Sequence, residues 1–327
     1  MEEHFLGFWN LENLFDVANS PSRPEYLQRQ LKTELKGWTS SVLAAKLSQL
    51  TQIITKMNDG AGPDILGICE IESELVVQKL LDALPTNGRQ YKIAHADTAD
   101  NRGIDVAVIY DGEKYAAGQT FSHFVQKRTA TRDIFQVNLK TTSGRDLVIV
   151  GNHWPSRSGG QYQTEPYRMM VGETLAYFHK RIVEEMGDDT AIVAMGDFND
   201  EPFDRSIREY AQVSRERRKI MNAKKIDYFY NLMWEIAGER AATYYFGSQP
   251  NLLDQFWISK GILKNGSIFK VKKGSVDIFQ PEELVASGTY PRPKKFGRPS
   301  RPKTFDRTGY SDHFPITFVL EERTAEV

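Results

Sequence analysis

The sequence predicts a layered α/β or α+β protein, and two features of its residue pattern support that fold class. Several short apolar runs rich in branched side chains stop at Gly, Asn or Asp, which is typical of buried strands that end in turns. Between some of these runs, apolar residues recur every three or four positions, which indicates amphipathic helices. Nearly continuous apolar strands that alternate with such helices imply sheets covered on both faces.

The first half of the chain contains a series of predicted elements separated by turn residues. Phe5–Trp9 is a short apolar strand that leads into a polar loop, and the next segment, which contains Pro21 and Pro24, has the mixed charge of a surface excursion. Ile65–Cys69 is a buried strand that ends at Glu70. The other predicted elements of this half are a helix over 40–57, a helix over 73–84 and a strand over 104–110.

The second half continues this pattern and contains the most informative strand end. Ala191–Met195 is an apolar strand that stops at Gly196 and delivers Asp197 and Asn199 to a turn. A carboxylate and an amide at one spot could orient a water and hold a phosphate oxygen, although an ordinary turn with Asx hydrogen bonds explains the same residues. The other predicted elements are strands over 133–139 and 147–150, a helix that ends before Gly187, a strand at LLDQFWIS and a last strand after SDHFP.

Length and charge narrow the range of architectures and partners. With 327 residues and 40% hydrophobic composition the chain can bury a large core, and we expect a single domain over 1–327 with a basic loop insert around 287–307. The net charge of −1 means that any surface attractive to nucleic acid must be local. Basic runs occur at 205–225 and 292–307, and the Pro and Gly residues of the second run predict a mobile loop that orders on binding.

Cysteine content and targeting signals exclude other classes of protein. The single cysteine, Cys69, excludes an internal disulfide and a cysteine-based metal site. The sequence contains no recognisable export signal and no apolar stretch long enough to span a bilayer. We therefore favour a cytoplasmic protein without a transmembrane segment, although a secreted or periplasmic protein whose signal has been removed would have the same sequence.

A series of short motifs, each at the end of an apolar run, identifies a family. The motifs WNLEN, ICEIE, NHWPS, GDFND, LLDQ and SDHFP occur in this order between Phe8 and Pro315 and resemble the endonuclease/exonuclease/phosphatase superfamily. Its members are metal-dependent phosphoesterases that include deoxyribonuclease I, exonuclease III, inositol-polyphosphate 5-phosphatases and neutral sphingomyelinases. The combination of FWNLENLFD with NHWPSRSGG resembles bacterial members. The resemblance implies an α+β fold, a four-layer α/β sandwich with two central mixed β-sheets flanked by helices and one active site at the sheets' shared edge.

The resemblance assigns a metal site to one group of residues. The residues that match the family's metal ligands are Glu70, as the principal carboxylate, with Asn10, Glu12 and Asp312 beside it. A phosphodiester is negatively charged and repels hydroxide, so its hydrolysis needs a hard cation that prefers oxygen ligands. The expected cofactor is therefore Mg²⁺, with Mn²⁺ as a plausible substitute. One departure is the glutamate at position 12, where some nucleases have aspartate.

The resemblance also implies a catalytic group. His313 resembles the family's catalytic histidine, and Asp254 resembles the carboxylate that orients it. Asp197 would position or deprotonate the attacking water, and Asn199 would hold the phosphate. His153 resembles the second histidine of deoxyribonuclease I, where abasic-site enzymes carry a tyrosine, so general nucleolysis is expected rather than base-excision repair. Each of these residues, taken alone, also fits a purely structural role.

The predicted substrate is nucleic acid, with DNA favoured. Basic residues at the site entrance would bind phosphates without reading sequence, and an aromatic side chain could stack on a base or sugar. In addition to Asn199, the candidate substrate-binding residues are Asn152, Arg102, Arg157, Arg168 and Tyr244. The alternatives are a phosphatase or phosphodiesterase for a small or lipid phosphate, such as an inositol phosphate or sphingomyelin, and a non-catalytic binding protein on the same scaffold.

Overall fold

The computed structural model describes residues 1–85, 88–98, 100, 102–128, 130–238, 241–288 and 290–323. Its strands are β1 (Glu2–Leu14), β2 (Ile65–Ile71), β3 (Tyr91–His95), β4 (Asp105–Asp111), β5 (Tyr115–His123), β6 (Ile134–Thr141), β7 (Asp146–His153), β8 (Ala191–Asp197), β9 (Val213–Ser214), β10 (Phe229–Asn231), β11 (Tyr244–Phe246), β12 (Gln249–Asn251), β13 (Asp254–Ile258), β14 (Phe269–Val271), β15 (Asp277–Ile278) and β16 (Ile316–Glu322). Its α-helices are α1 (Glu25–Leu31), α2 (Ser40–Lys56), α3 (Glu74–Ala83), α4 (Gln161–Met186), α5 (Arg217–Asn222) and α6 (Lys260–Leu263). None of the helices in the described part of the chain is both long and apolar enough to cross a bilayer.

The strands form two large sheets and one small hairpin. The first sheet has the order β14-β16-β1-β2-β4-β3, with β15 also paired to β16, and the second has the order β5-β6-β7-β8-β13-β10-β9. Each combines parallel and antiparallel pairs, because β1 and β2 are parallel in the first sheet and β7 and β8 are parallel in the second. Strands β11 and β12 pair with each other as a separate hairpin. The predicted mixed sheets are therefore confirmed.

The sheets and helices form four layers, which three cores of apolar side chains hold together. One core lies between the sheets and joins residues such as Phe8 and Phe318 of the first sheet to Ile149 and Phe256 of the second. A second core packs α2 and α3 on the outer face of the first sheet, and a third packs α4 on the outer face of the second sheet. Burial of each large apolar side chain contributes about 1.5–3 kcal/mol, so these interfaces hold the layers together. The four-layer sandwich is the predicted fold.

Two differences from the predicted elements occur near the N-terminus. The predicted first strand and its loop are one long strand, β1, whose register shifts between Asn10 and Leu14. The segment around Pro24 is mostly exposed, as predicted, but it leads into an unpredicted helix, α1, whose Leu27 is buried in the same core as Trp38. The sequence pattern missed α1 because a helix of two turns has too few apolar positions to establish a period.

The basic segment at 292–307 is attached to the body of the protein by its middle. Phe296 has no exposed surface, and its ring lies 6.1 Å from the ring of Trp38. Arg298 pairs with Glu34 and donates a hydrogen bond to Asn13 at 3.1 Å. These contacts attach the segment to the rest of the protein, and the Pro and Gly content of the segment did not predict them.

Candidate active site

The register of the second sheet aligns three of the predicted catalytic side chains. His153 on β7 is paired with Asp197 on β8, and Asp197 is paired in turn with Asp254 on β13. The close approach of β7 and β8 depends on Gly196, because a Cβ there would lie 2.3 Å from the carbonyl oxygen of Asn152. The three side chains therefore form a row at one edge of the sheet.

The first sheet brings the remaining residues to the same edge. Asn10 on β1 pairs with Cys69 on β2, which directly precedes Glu70. Because the two strands are parallel, Asn10 and Glu70 lie at the same end of the pair. The segment before β16 is held beside them, since Ser311 Oγ donates a hydrogen bond to the Asn10 carbonyl at 2.6 Å. Asn10 Nδ2 also donates to Asp197 Oδ2 at 3.1 Å. This hydrogen bond joins the two halves of the site.

His313 and Asp254 form a buried hydrogen-bonded pair. His313 Nδ1 lies 2.7 Å from Asp254 Oδ2, and His313 Nε2 lies 3.8 Å from Asp197 Oδ2. The backbone N–H of Asp254 donates to Thr243 Oγ1 at 3.1 Å, which fixes the start of β13. Burial opposes protonation of His313, but the carboxylates of Asp254 and Asp197 raise the pKa of this histidine well above its usual value. This environment therefore favours the protonated imidazole.

His153 lies on the other side of Asp197, and its pKa is shifted in the direction opposite to that of His313. Its Nε2 lies 3.7 Å from Glu70 Oε1 and 3.8 Å from Asp197 Oδ2. Burial and the guanidinium groups of Arg132 and Arg102 lower the pKa of His153 well below 6.5. A neutral imidazole at this position can offer an N–H to a substrate oxygen without adding charge.

Asp197 lies between the two histidines and has the properties of a general base. Burial raises the pKa of its carboxyl group to about 6, although the charge of His313 opposes the shift. The backbone N–H of Asn199 donates to Asp197 Oδ1 at 2.9 Å, and the Asn199 amide donates to the Trp154 carbonyl at 3.0 Å. A base with a pKa near the working pH is the most effective one, so this environment suits abstraction of a proton from water.

Three carboxylates, Glu12, Glu70 and Asp312, form what we call the acidic cluster. Burial and the charge of Asp312 raise the pKa of Glu12 to about 7, and burial together with Glu70 raises the pKa of Asp312. Both oxygens of Glu12 accept backbone N–H groups, from Phe296 at 2.8 Å and from Gly297 at 3.1 Å. The raised pKa values of Glu12 and Asp312 result first from burial and then from repulsion between the carboxylates, and a bound cation would relieve that repulsion.

The donor chemistry of this edge fits a hydrated magnesium ion. The acidic cluster and the Asn10 side chain offer oxygen ligands, which Mg²⁺ prefers. Among the described residues, the acidic cluster is not one of the groups whose ligand atoms all lie within 4.8 Å of one another, whereas Asp197, Asp254 and His313 form such a group. Wide spacing suits an ion that is held by one or two carboxylates and keeps several waters.

The backbone of the site is strained at three predicted functional residues. Glu12, Glu70 and Asn199 have φ values of 51°, 60° and 52°, in the left-handed region that non-glycine residues rarely adopt. Such conformations persist only where the surroundings fix them, and they cluster at functional sites. Two of these positions, Glu12 and Glu70, lie within strands, and Asn199 lies in the turn that follows β8.

Two predicted substrate contacts are contradicted by the structure. Arg168 has no exposed surface, and its Nε lies 2.8 Å from Asp200 Oδ2. Asn152 is also fully buried, where it donates to the Val150 carbonyl at 3.0 Å and accepts from the Trp154 indole at 3.1 Å. Neither side chain is open to a phosphate, so both stabilise the loops around the site instead.

The other predicted substrate contacts, Arg102, Tyr244 and Arg157, differ in exposure and in the groups that they contact. The side chain of Arg102 is 47% exposed, and its positive charge contributes to the lowered pKa of His153. Tyr244 packs its ring 4.8 Å from the ring of His313. Arg157 is mostly buried, pairs with Asp200 at 3.1 Å and donates to the Asn199 carbonyl at 2.6 Å, so its main contacts hold the GDFND turn.

Sequence reasoning missed two buried cations behind the site. Arg132 donates to the carbonyls of His153 and Trp154 at 3.1 and 2.7 Å. In the sequence it is a single charged residue before a predicted strand, and this pattern does not predict its burial. Lys46 is fully buried on α2 and donates to the Tyr310 carbonyl at 2.6 Å. A signal for Lys46 existed, because it interrupts the apolar face of a predicted helix.

Comparison with known proteins identifies the family and the fold of the chain. The model of the endonuclease/exonuclease/phosphatase family matches residues 5–322. A comparison with curated protein sequences finds no significant match. The catalytic domain of human Nocturnin with bound sulfate is 17% identical with a TM-score of 0.58, and the match covers 98% of this chain and 94% of that one.

Two further solved structures have the same fold. The D. rerio TDP2 complexed with a single-strand DNA product is 12% identical with a TM-score of 0.58, covering 98% of this chain and 100% of the other. The mannosyl-6-phosphatase Bt3783 of Bacteroides thetaiotaomicron VPI-5482 is 15% identical with a TM-score of 0.56, covering 97% and 99%. Because the family model extends over nearly the whole described chain, the protein belongs to the endonuclease/exonuclease/phosphatase family and is a hydrolase of phosphoester bonds.

Proposed function

We propose that this protein is a metal-dependent phosphodiesterase that hydrolyses nucleic acid, with DNA as the favoured substrate. The observation that carries the proposal is the row of His153, Asp197 and Asp254, with His313 bonded to Asp254 and the acidic cluster beside it. The similarity to a TDP2 structure that holds a single-strand DNA product supports the choice of DNA. One domain, with its basic segment at 292–307 next to the site, would bind the phosphates.

In the proposed mechanism, Asp197 accepts a proton from a water that attacks the phosphorus in line with the leaving oxygen. Cationic His313, oriented by Asp254, stabilises the negative charge that develops on the phosphoryl oxygens. Neutral His153 and the Asn199 amide orient the phosphate. When bound, Mg²⁺ would screen the phosphate charge and polarise the phosphoryl group, and Glu70 and Asp312, with Asn10 and Glu12 beside them, would hold it.

The second candidate is a phosphatase or phosphodiesterase for a small phosphorylated molecule. The structural similarity to a mannosyl-6-phosphatase favours a sugar phosphate within this class. A lipid phosphate such as sphingomyelin has no comparable support. A non-catalytic binding protein is disfavoured, because every catalytic position of the family pattern is filled by a functional residue type.

A substrate panel tests the proposal. Plasmid DNA, single-stranded DNA, RNA, abasic duplex, mannose 6-phosphate, inositol polyphosphate and sphingomyelin are each incubated with Mg²⁺, Mn²⁺ or chelator. We expect chelator-sensitive cleavage of DNA and slower turnover of the small phosphates. Turnover of mannose 6-phosphate alone would select the second candidate. The absence of metal-dependent turnover on every nucleic acid would overturn the nuclease assignment.

A further inference from the structure

Lys46 carries a charge in the middle of an apolar helix face, and its side chain is completely buried. Its Nζ donates to the Tyr310 carbonyl at 2.6 Å and lies 5.0 Å from the centre of the Phe296 ring. A buried ammonium is costly unless negative charge compensates it. Burial lowers the pKa of Lys46 to about 8, and the carboxylates of the acidic cluster oppose that shift. The compensating charge is therefore that of the acidic cluster.

The two residues that Lys46 contacts, Tyr310 and Phe296, belong to segments that position carboxylates of the acidic cluster. Tyr310 precedes Asp312 by two residues, so the hydrogen bond from Lys46 anchors the segment that carries this carboxylate. Phe296 donates its backbone N–H to Glu12 and packs its ring under the ammonium group. One buried side chain thus links α2 to both segments that position the acids.

We propose that Lys46 is a positioning residue of this centre, whose buried ammonium group anchors the acidic cluster and opposes part of its negative charge until a divalent cation binds. The inference rests on the proposed function, because it takes the acidic cluster to be the metal site. Two opposite consequences follow. A nearby positive charge repels a divalent cation, so its removal tightens metal binding. Its removal also leaves buried carboxylates uncompensated, which destabilises the metal-free protein.

The test uses Lys46→Met, which keeps the apolar stem and removes the ammonium. Calorimetric titration with Mn²⁺ measures the Kd, and the melting temperature is recorded with and without Mg²⁺. We expect a Kd lower by about five-fold or more, a lower Tm without metal and a larger Mg²⁺-induced rise in Tm than in wild type. Glu12→Gln, which removes a negative charge from the same cluster, should weaken binding.

A matched control separates this effect from a change in net charge. Lys272→Met removes a lysine whose side chain is 44% exposed and paired with Glu3 at the opposite end of β1, and it should leave the Kd unchanged. An unchanged or higher Kd in folded Lys46→Met overturns the inference alone. Absence of a wild-type Mn²⁺ site that Glu70→Gln abolishes overturns the proposed function together with the inference.

A double variant decides the case in which Lys46→Met does not fold. Adding Glu12→Gln to it removes one carboxylate as well as the ammonium, so the remaining charge of the cluster is smaller. Recovery of folding in the double variant supports the inference, because it shows that uncompensated charge caused the failure. Failure of the double variant to fold shows that Lys46 acts only in packing and overturns the inference.

Discussion

At the scale of single residues, the surroundings of the two site histidines shift their pKa values in opposite directions. Asp254 and Asp197 raise the pKa of His313 against the effect of burial, whereas burial and Arg132 lower the pKa of His153. Both imidazoles lie 3.8 Å from the same carboxylate of Asp197. The site therefore offers a cation and a neutral donor on either side of one base, and such separation of pKa values is how acid and base roles are assigned.

Replacement of the base or of the cationic histidine should abolish most activity without unfolding the protein. We expect Asp197→Asn and His313→Ala each to lower kcat by about two orders of magnitude or more, because each removes a group that acts in the transition state. Initial rates on the best substrate of the panel measure the effect, and circular dichroism verifies the fold. Glu184→Gln, on a partly exposed position of α4, is the control and should keep the wild-type rate. A near wild-type rate for either variant would remove that residue from the catalytic step.

The same two groups predict the dependence of activity on pH. Asp197 must be deprotonated to act as a base, so kcat/KM should fall as the pH drops below about 6, where its carboxyl group gains a proton. His313 must be protonated, and because its pKa is raised, activity should persist through neutral pH and decline only on the alkaline side. Asp254→Asn removes a carboxylate that raises this pKa, so it should move the alkaline limb to lower pH. An alkaline limb that stays in place in Asp254→Asn would contradict the role of this pair.

At the scale of elements, the site depends on the close contact of two parallel strands. β7 and β8 end side by side at His153 and Asp197, and Gly196 permits the contact because a side chain there would meet the backbone of Asn152. The preceding residues of both strands are buried in the inter-sheet and outer cores. Any shift of β8 would therefore move the base away from both histidines.

Gly196→Ala tests this dependence. The added Cβ would lie 2.3 Å from the Asn152 carbonyl oxygen, so the strands must separate. We expect a loss of about 1–3 kcal/mol in the free energy of unfolding, which is the usual cost of overpacking. We also expect kcat to fall, because separation of the strands displaces the catalytic groups. Urea denaturation and initial rates measure the two effects. Gly238→Ala, where a Cβ meets nothing within 4 Å, should change neither.

The sequence predicted this site through strand-end patterns together with the family resemblance, and it failed where tertiary contacts decide. Strand ends that carry Glu70 and Asp197 were predictable, because an apolar run followed by turn residues is a local signal. The burial of Arg168 was not, because an arginine on a helix can face solvent or a carboxylate, and Asp200 supplies that carboxylate only in the folded chain. The short helix α1 was missed because two turns carry too few apolar positions to establish a period, and its two buried leucines gain their core from distant residues.

At the scale of the whole molecule, the site lies where the edges of the two sheets meet, and both sheets contribute residues to it. The inter-sheet core fixes the sheets face to face, and the hydrogen bond from Asn10 to Asp197 connects their edges. The same packing buries histidines far from the site, and burial lowers the pKa of His4, His123 and His179 below the usual value. The fold is therefore expected to lose stability in acid as these side chains gain protons on unfolding.

His179 isolates this effect, because it lies on α4 with its ring 3.6 Å from the ring of Phe229 and is only 1% exposed. Burial lowers its pKa to about 3, whereas the unfolded chain binds the proton near pH 6.5. Between these values the unfolded state holds the extra proton, so the free energy of unfolding falls as the pH falls, by about 1.4 kcal/mol per pH unit from this residue, and above this window the residue adds no slope. His179→Gln should remove that slope. Urea denaturation of wild type and variant from about pH 7 to about pH 4 measures the difference in unfolding free energy. A difference that does not shrink toward acid pH would show that His179 is not held neutral in the native core.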